Sequence, residues 1–201
     1  QALDDLPDGT VLSIALINGT YERSENVIDR DRMTDVSVVG PERQRTSPPM
    51  TSWREADLTT WLDLSTGEPG TYVVGVSTRA RAIELGADDF NDYLEHDGVL
   101  DMLEARRRDG TLGEAAHELY SKHVKTILQV GERTTDAWAA RLGYPIEIVP
   151  LSNPGELRAG DRFDFVVLRD GREVAGQLVY ASYAGFHGHA EDGGHVEAVS
   201  T

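Results

Sequence analysis

The sequence predicts a mainly β protein that consists of two β-sandwich domains, with a short helical insertion in the first. Three observations lead to this prediction. Short segments rich in β-branched and aromatic residues recur through roughly the first eighty positions, and turn signals separate them. Helical periodicity then interrupts this pattern once. Alternating β segments resume after the interruption, and this organisation is typical of sandwiches.

The strands of the first domain come early in the chain. Four are predicted, at 11–17, 35–39, 58–64 and 71–77. The first of these is apolar apart from Ser13 and rich in β-forming residues, which indicates burial on both faces. The third alternates and ends at the turn Gly67–Gly70. A later segment carries Val124, Leu128 and Val130 on one face. We expect that segment to rejoin the first domain as a further strand.

A helical insertion is predicted at about 87–119. Asp88 can cap its first helix, and Arg106–Arg108 lie at the C-terminal end of a second helix, where cations are favoured. The segment Thr111–Glu114 has the spacing of a capping box, which predicts a third short helix after it. The first domain, including this insertion, therefore spans residues 1–131.

A second β domain is predicted after a linker at 132–143. It spans 144–201. There Phe163, Phe165 and Val167 alternate against Arg162 and Asp164, and Asp170–Gly171 is a strong hairpin signal. Only about four strands fit before the last residue. We therefore expect the second domain to be incomplete and both ends of the chain to be truncated.

The composition argues against several classes of function. A formal net charge of −16 disfavours binding to nucleic acids and to anionic membrane surfaces. The absence of cysteine excludes disulfides, thiolate metal sites and thiol nucleophiles. No apolar run approaches the ~20 residues of a membrane-spanning helix, so no direct membrane insertion is expected. No HExxH, GxSxG or phosphate-binding glycine motif is present, and we expect that the protein is not an enzyme.

Half of the six histidines fall within nine positions near the end of the chain. These candidate metal ligands, together with two neighbouring carboxylates, are His187, His189, Glu191, Asp192 and His195. Imidazole and carboxylate groups suit Ni, Co, Zn or Cu, and the interleaved glycines allow a short segment to bring several of them together. In an extended segment the first two histidines would point the same way, and a glycine turn could return the third. The alternative is a solvated turn that binds no ion.

Five segments carry a resemblance to a known family. They read INGTYERSENVIDRDRMTDVSVVGP, FNDYLEHDGVLDMLEARRRDG, YSKHVKTILQVG, GYPIEIVPLSNPGELRAGD and GQLVYASYAGFHGH. They resemble secreted bacterial proteins that are grouped under a domain of unknown function and are often labelled nickel- or cobalt-uptake periplasmic components. The resemblance covers about Thr10 to Thr201.

This resemblance implies an exported protein with an N-terminal signal peptide and two β domains. The later domain would be similar to transthyretin or carboxypeptidase-regulatory modules, and we interpret the first as immunoglobulin-like. The resemblance also raises the metal hypothesis, because nickel and cobalt both accept histidine ligands.

The sequence therefore predicts a periplasmic or secreted, non-catalytic protein. It would bind a divalent transition-metal ion and support its uptake or sequestration, with a membrane metal transporter as a further partner. The alternative is an extracytoplasmic binding or adhesion module for protein or glycan partners, with no metal role. In that case the helical insertion would supply the contact surface, and Trp53, Trp61 and Trp138 would be candidate aromatic anchors.

Overall fold

The computed structural model describes residues 11–20, 23–96, 98–181 and 196–199. Within these ranges antiparallel strands dominate and two short α-helices are present, which confirms the prediction of a mainly β protein. The strands are β1 (Val11–Leu16), β2 (Gly19–Thr20), β3 (Arg23–Ser24), β4 (Met33–Val39), β5 (Arg45–Thr46), β6 (Trp53–Ala56), β7 (Thr59–Ser65), β8 (Gly70–Thr78), β9 (Arg81–Leu85), β10 (Ala116–Tyr120), β11 (His123–Val130), β12 (Ile146–Pro150), β13 (Phe165–Arg169), β14 (Arg172–Glu173), β15 (Leu178–Ala181) and β16 (Val196–Val199). The helices are α1 (Ala87–His96) and α2 (Leu100–Asp109). Neither helix is long and apolar enough to cross a lipid bilayer.

The chain divides into two compact units. Unit 1 comprises the described residues of 1–79 and 122–174, and unit 2 comprises those of 80–121 and 175–201. The predicted helical insertion lies within the first segment of unit 2. The predicted domain boundaries at residues 131 and 144 stay a prediction.

Unit 1 contains a sandwich of two antiparallel sheets. One sheet has the strand order β1-β7-β6, and the other has the order β11-β8-β4-β5. The pairing of β11 with β8, in which Val124 lies opposite Val76, confirms that the chain rejoins the first sandwich after the insertion. The unit also contains the three-stranded sheet β12-β13-β14 and the two-stranded sheet β2-β3.

Apolar side chains from both sheets form the core between them. Alternate residues of the central strand β8 point into this core, as the period of two requires. The buried members of the cluster are Leu16, Met33, Val36, Val38, Leu62, Tyr72, Val74, Val76 and Val130. The alternation that predicts strands in the sequence therefore corresponds to burial between the two sheets.

The opposite face of β8 is covered by the segment 136–144. Val73, Leu142 and Tyr144 are buried in a second apolar cluster there. A side chain at Gly75 would collide with Leu142 and Tyr144, so glycine permits this close approach. As a result β8 is buried along its whole length.

In unit 2, the prediction of a third helix is wrong. The segment Thr111–Glu114 forms a turn, with the amide of Glu114 3.0 Å from the carbonyl oxygen of Thr111, and the chain then enters β10. β10 pairs with β9, a strand that the sequence analysis did not predict. Residues of β10 alternate between partly buried and exposed positions, which a strand accommodates and a helix does not.

The two predicted helices of the insertion are confirmed. Leu94 and Leu103 are their buried residues in unit 2. Arg106 of α2 donates to the side-chain oxygen of Asn91 in α1 at 2.9 Å, and its guanidinium lies 4.9 Å from the ring centre of Phe90. Asp88 lies within the first turn of α1 rather than before it, where its charge still favours the helix N-terminus.

Candidate functional site

The predicted metal ligands follow β15 and precede β16 in the sequence. They are His187, His189, Glu191, Asp192 and His195, and all of them lie outside the described residues. The two flanking strands are described, and they pair antiparallel in unit 2. Ala181, the last residue of β15, lies directly opposite Val196, the first residue of β16. The chain therefore leaves and re-enters this sheet at neighbouring positions.

This strand pairing has a direct consequence for any site formed by residues 182–195. Bringing distant ligands together costs conformational entropy, which grows with the length of chain that must be closed. Pairing of β15 with β16 already holds both ends of the connection together. The two ends of the connection are therefore held together independently of any bound ion.

Two histidines have described side chains, and each lies on a strand, one in each unit. His117 is exposed on β10, where it lies opposite Glu84, so the expected helical setting is wrong for this residue. His123 begins β11, and the side chain of His96 lies outside the described residues. Within the described ranges, no group of three histidine, aspartate or glutamate side chains is close enough together to hold a metal ion.

Three polar residues form a row across the larger sheet of unit 1. Asp35 of β4 and His123 of β11 both lie directly opposite Ser77 of β8. The Oγ atom of Ser77 is 2.9 Å from Nδ1 of His123. Partial burial lowers the pKa of His123, because it disfavours the charged imidazolium. The ring of Tyr144 lies against this row, 5.9 Å from the imidazole ring.

Asp35 is the centre of a hydrogen-bond network beside this row. Its Oδ2 atom accepts hydrogen bonds from Ser37 at 2.6 Å, Tyr144 at 2.8 Å and Arg45 at 3.1 Å. Burial alone would raise the pKa of Asp35, but these three donors outweigh it and the pKa is lowered. Burial and the hydrogen bond to Asp35 both raise the pKa of Tyr144. The network thus holds an ionised carboxylate against a neutral phenol.

The residue types of the row are those of a serine hydrolase triad, but their order differs. In a triad the imidazole lies between the carboxylate and the serine, and the carboxylate orients it. Here Ser77 lies between Asp35 and His123. Ser77 is also buried, with 6% of its surface exposed. The arrangement lacks the geometry of a triad, and the expectation of a non-catalytic protein stays a prediction.

A buried ion pair helps to attach the segment 136–144, which covers β8, to strand β11. The ammonium of Lys125 lies 2.9 Å from Oε1 of Glu147, and the two side chains are 12% and 3% exposed. The Oε1 atom of Glu147 also accepts the amide of Leu142 at 2.7 Å, and its Oε2 atom accepts the amide of Gly143 at 3.2 Å. One carboxylate therefore links β11, β12 and the chain that packs over β8.

A surface cavity of about 600 Å³ lies beside the turn between β6 and β7 in unit 1. Trp61 lines it, together with Ile17 and Leu58. The turn residues Asp57 and Leu58 have φ values of 50° and 60°, and this left-handed conformation is unusual for a bulky side chain such as leucine. The guanidinium of Arg54 lies 4.9 Å from the ring centre of Trp61. Backbone strain of this kind often accompanies sites of recognition.

The three tryptophans proposed as anchors have different surroundings. Trp53 packs against the sandwich core, and Trp138 is partly buried in the short helical turn at 136–139. Trp61 lines the surface cavity. The pattern of residues in the sequence does not separate these three environments, because each depends on which face of which sheet the residue occupies.

A comparison with protein families gives one family model, described as domain of unknown function DUF4198, which matches residues 6–201. No curated protein and no solved structure matches the chain.

Proposed function

The chain belongs to the DUF4198 family of domains of unknown function, and we propose that it binds a divalent transition-metal ion through His187, His189 and His195. Glu191 or Asp192 would supply a fourth ligand. The protein would act in the periplasm or outside the cell and support metal uptake or sequestration. Its resemblance to proteins labelled as nickel- or cobalt-uptake components supports this role.

The pairing of Ala181 with Val196 is the observation that carries the proposal. It holds together the two ends of the connection that contains all five candidate ligands. The strand pairing therefore offsets the entropic cost of joining these ends, and the metal ion does not have to. The residue types are those that bind borderline metals, and the chain has no cysteine that would compete for the ion. Intrinsic affinity would rank copper above nickel, cobalt and zinc for such ligands.

Calorimetric titration of the metal-stripped chain with Ni(II), Co(II), Zn(II) and Cu(II) at about pH 7.5 tests the proposal. We expect one saturable site of sub-micromolar affinity. The double variant His187→Ala/His189→Ala should lose at least about a hundredfold in affinity, since two of the proposed ligands are removed. His117→Ala is the matched control, because His117 is exposed on β10 and should leave the affinity unchanged.

Two results would contradict the proposal. One is the absence of saturable binding for all four metals. The other is equal affinity in the double variant and the wild type, which would assign the site to other residues. Circular dichroism of each variant should be unchanged. For the control variant this is expected because His117 is exposed on β10.

The surface cavity at Trp61 favours a second candidate function, an extracytoplasmic binding module for glycans or proteins. Tryptophan and arginine are the residues most enriched among interface hot spots, and Arg54 stacks on Trp61 here. A glycan array probed with the wild type and with Trp61→Ala tests this function. We expect the wild type to bind one class of glycan, and we expect Trp61→Ala to lose this binding while its metal affinity is unchanged. If the wild type binds no glycan on the array, glycan recognition is contradicted.

A further inference from the structure

A cleft of about 530 Å³ opens in unit 1 beside the edge strands of the two sandwich sheets. β1 is the edge of one sheet and β11 is the edge of the other, so the cleft leads from the surface toward the core. Its volume falls within the usual range for small-molecule sites, about 300–1,000 Å³. The cleft adjoins the surface cavity at Trp61, and Ala15 and Ile17 are the described residues that line both.

The lining of the cleft changes from polar at one end to apolar along the rest. At the polar end, the ammonium of Lys122 lies 3.5 Å from Oδ1 of Asn18, and its backbone amide donates to Oγ1 of Thr78 at 2.8 Å. Two residues further along β11 and β8, Val124 and Val76 lie opposite each other. Each strand residue advances by about 3.3 Å, so the polar and apolar parts lie one after the other along the cleft.

Among the described residues that line the cleft, the charged ones are all basic. Arg32, Lys122 and Lys125 line it, and none of its described lining residues is acidic, although the chain carries a net charge of −16. Lys125 is paired with Glu147 and contributes little net charge. The exposed Lys122 makes the polar end of the cleft basic.

Apolar side chains in the cleft remain exposed to solvent. Val124 is 53% exposed and Ile17 is 43% exposed, in positions where a ligand in the cleft would cover them. Covering apolar surface favours binding in proportion to the area removed from water. The cleft therefore offers an apolar channel that begins at a basic end.

We propose that this cleft binds a soluble amphiphilic anion, namely a medium-chain alkyl carboxylate. The carboxylate would lie at the polar end, beside Lys122, Asn18 and Arg32. The alkyl chain would extend between Val76 and Val124 toward Ile14. Charge complementarity selects the head group, and the apolar part of the cleft selects the tail.

Titration calorimetry of the full chain with three ligands that share one tail tests both parts of this proposal. The ligands are octanoate, 1-octanol and octyltrimethylammonium, each below its aggregation concentration and in metal-free buffer. We expect saturable binding of octanoate at one site. Octanol should bind about tenfold more weakly, because it lacks the charge, and the cation should not bind.

Two surface variants locate the site without disturbing the core. Lys122→Glu should weaken octanoate binding about tenfold or more by reversing the charge at the polar end. Val124→Glu should abolish binding by placing a carboxylate in the apolar part. Leu119→Glu is the matched control, since Leu119 is 75% exposed on β10 in unit 2 and should bind octanoate as the wild type does. Thermal unfolding of all three variants verifies that they fold.

Several outcomes would overturn the proposal. Equal affinity for octanoate and octanol would show that the charge does not contribute to binding. If folded Val124→Glu bound octanoate as tightly as the wild type does, the ligand would have to lie elsewhere. Binding to anionic phospholipid vesicles without binding to free octanoate would identify a membrane surface as the partner instead. A failure of the metal proposal would not affect these results, because the titrations use metal-free buffer and no variant changes a candidate metal ligand.

Discussion

Removal of the Glu147 carboxylate is expected to destabilise unit 1 more than any nearby surface change. The side chain of Glu147 is 3% exposed and accepts three hydrogen bonds, from the ammonium of Lys125 and from the amides of Leu142 and Gly143. Glu147→Ala would leave two backbone amides without their acceptor, and the buried ammonium of Lys125 would keep only the carbonyl oxygen of Ala140, at 3.3 Å, and lose its counter-charge. Such groups cannot recover their hydration while the segment stays packed.

The expected magnitude follows from these three contacts. Breaking a buried ion pair by removing one partner costs about 3–5 kcal/mol, most of it because a buried charge is left uncompensated. We therefore expect Glu147→Ala to lower the free energy of unfolding of unit 1 by about 3–5 kcal/mol. Lys125→Met should cost less, about 1–2 kcal/mol, because Glu147 keeps both of its backbone donors.

Urea denaturation followed by tryptophan fluorescence measures this effect in unit 1 alone. The three tryptophans of the chain are Trp53, Trp61 and Trp138, and all of them belong to unit 1. Glu132→Ala serves as a control, because this exposed glutamate should change stability by less than about 0.5 kcal/mol. The double variant Glu147→Ala/Lys125→Met completes a double-mutant cycle and should recover part of the loss.

A decrease of less than about 1 kcal/mol in the free energy of unfolding for Glu147→Ala would contradict this prediction, because that is the range of an exposed ion pair. A larger loss for Lys125→Met than for Glu147→Ala would also refute it. That order would mean that the backbone donors of Leu142 and Gly143 do not hold the carboxylate.

Three further predictions concern packing, protonation and metal affinity. Gly75→Ala should cost about 1–3 kcal/mol in the same assay, because the new methyl group collides with the side chains over β8; a neutral result would mean that this cover is loose. Since the native pKa of Asp35 is lowered, its carboxylate stabilises the fold above its unfolded pKa of about 3.9, and this contribution is lost as the pH falls through the native value. Tyr144→Phe should therefore move the acid unfolding midpoint to higher pH, and an unchanged midpoint would count against the network. Metal affinity should fall steeply between about pH 7.5 and 5, because protonated imidazoles cannot bind metal, whereas pH-independent binding would exclude histidine ligands.

Five strands of the sandwich could be predicted, because the pattern of apolar residues in each reflects its burial: β1, β4, β7, β8 and β11. The short strands β5 and β6 are not predicted. β8 carries Tyr72, Val74 and Val76 on its core face, and β11 carries Leu128 and Val130. β9 and β10 are not predicted because each is stabilised by pairing with the other, and neither carries a strong local signal for a strand. The segment Thr111–Glu114 satisfies the spacing of a capping box, yet the non-local pairing of the chain that follows it decides the structure.

The candidate sites also differ in whether a local sequence signal or the pairing of distant strands determines them. The histidines near the end of the chain are visible in the sequence, but the closure of their connection requires the register of Ala181 with Val196. The row of Asp35, Ser77 and His123 depends on two registers at once, so no local spacing predicts it. The cleft requires two strand edges to meet, and these edges belong to strands more than a hundred positions apart in the sequence.

The junction between β8 and β11 bears on how this chain folds. The two strands are adjacent in the sheet, yet residues 79–122 separate them in the sequence. At the junction the amide of Thr78 donates to the carbonyl oxygen of Lys122 at 2.9 Å, so the ends of the intervening segment are in contact. A chain in which a tight turn replaces that segment would form β8 and β11 as a local hairpin. Because folding rates rise as contacts become more local, the sandwich should then fold faster, and the natural chain must delay its central pairing until the inserted segment has brought its ends together.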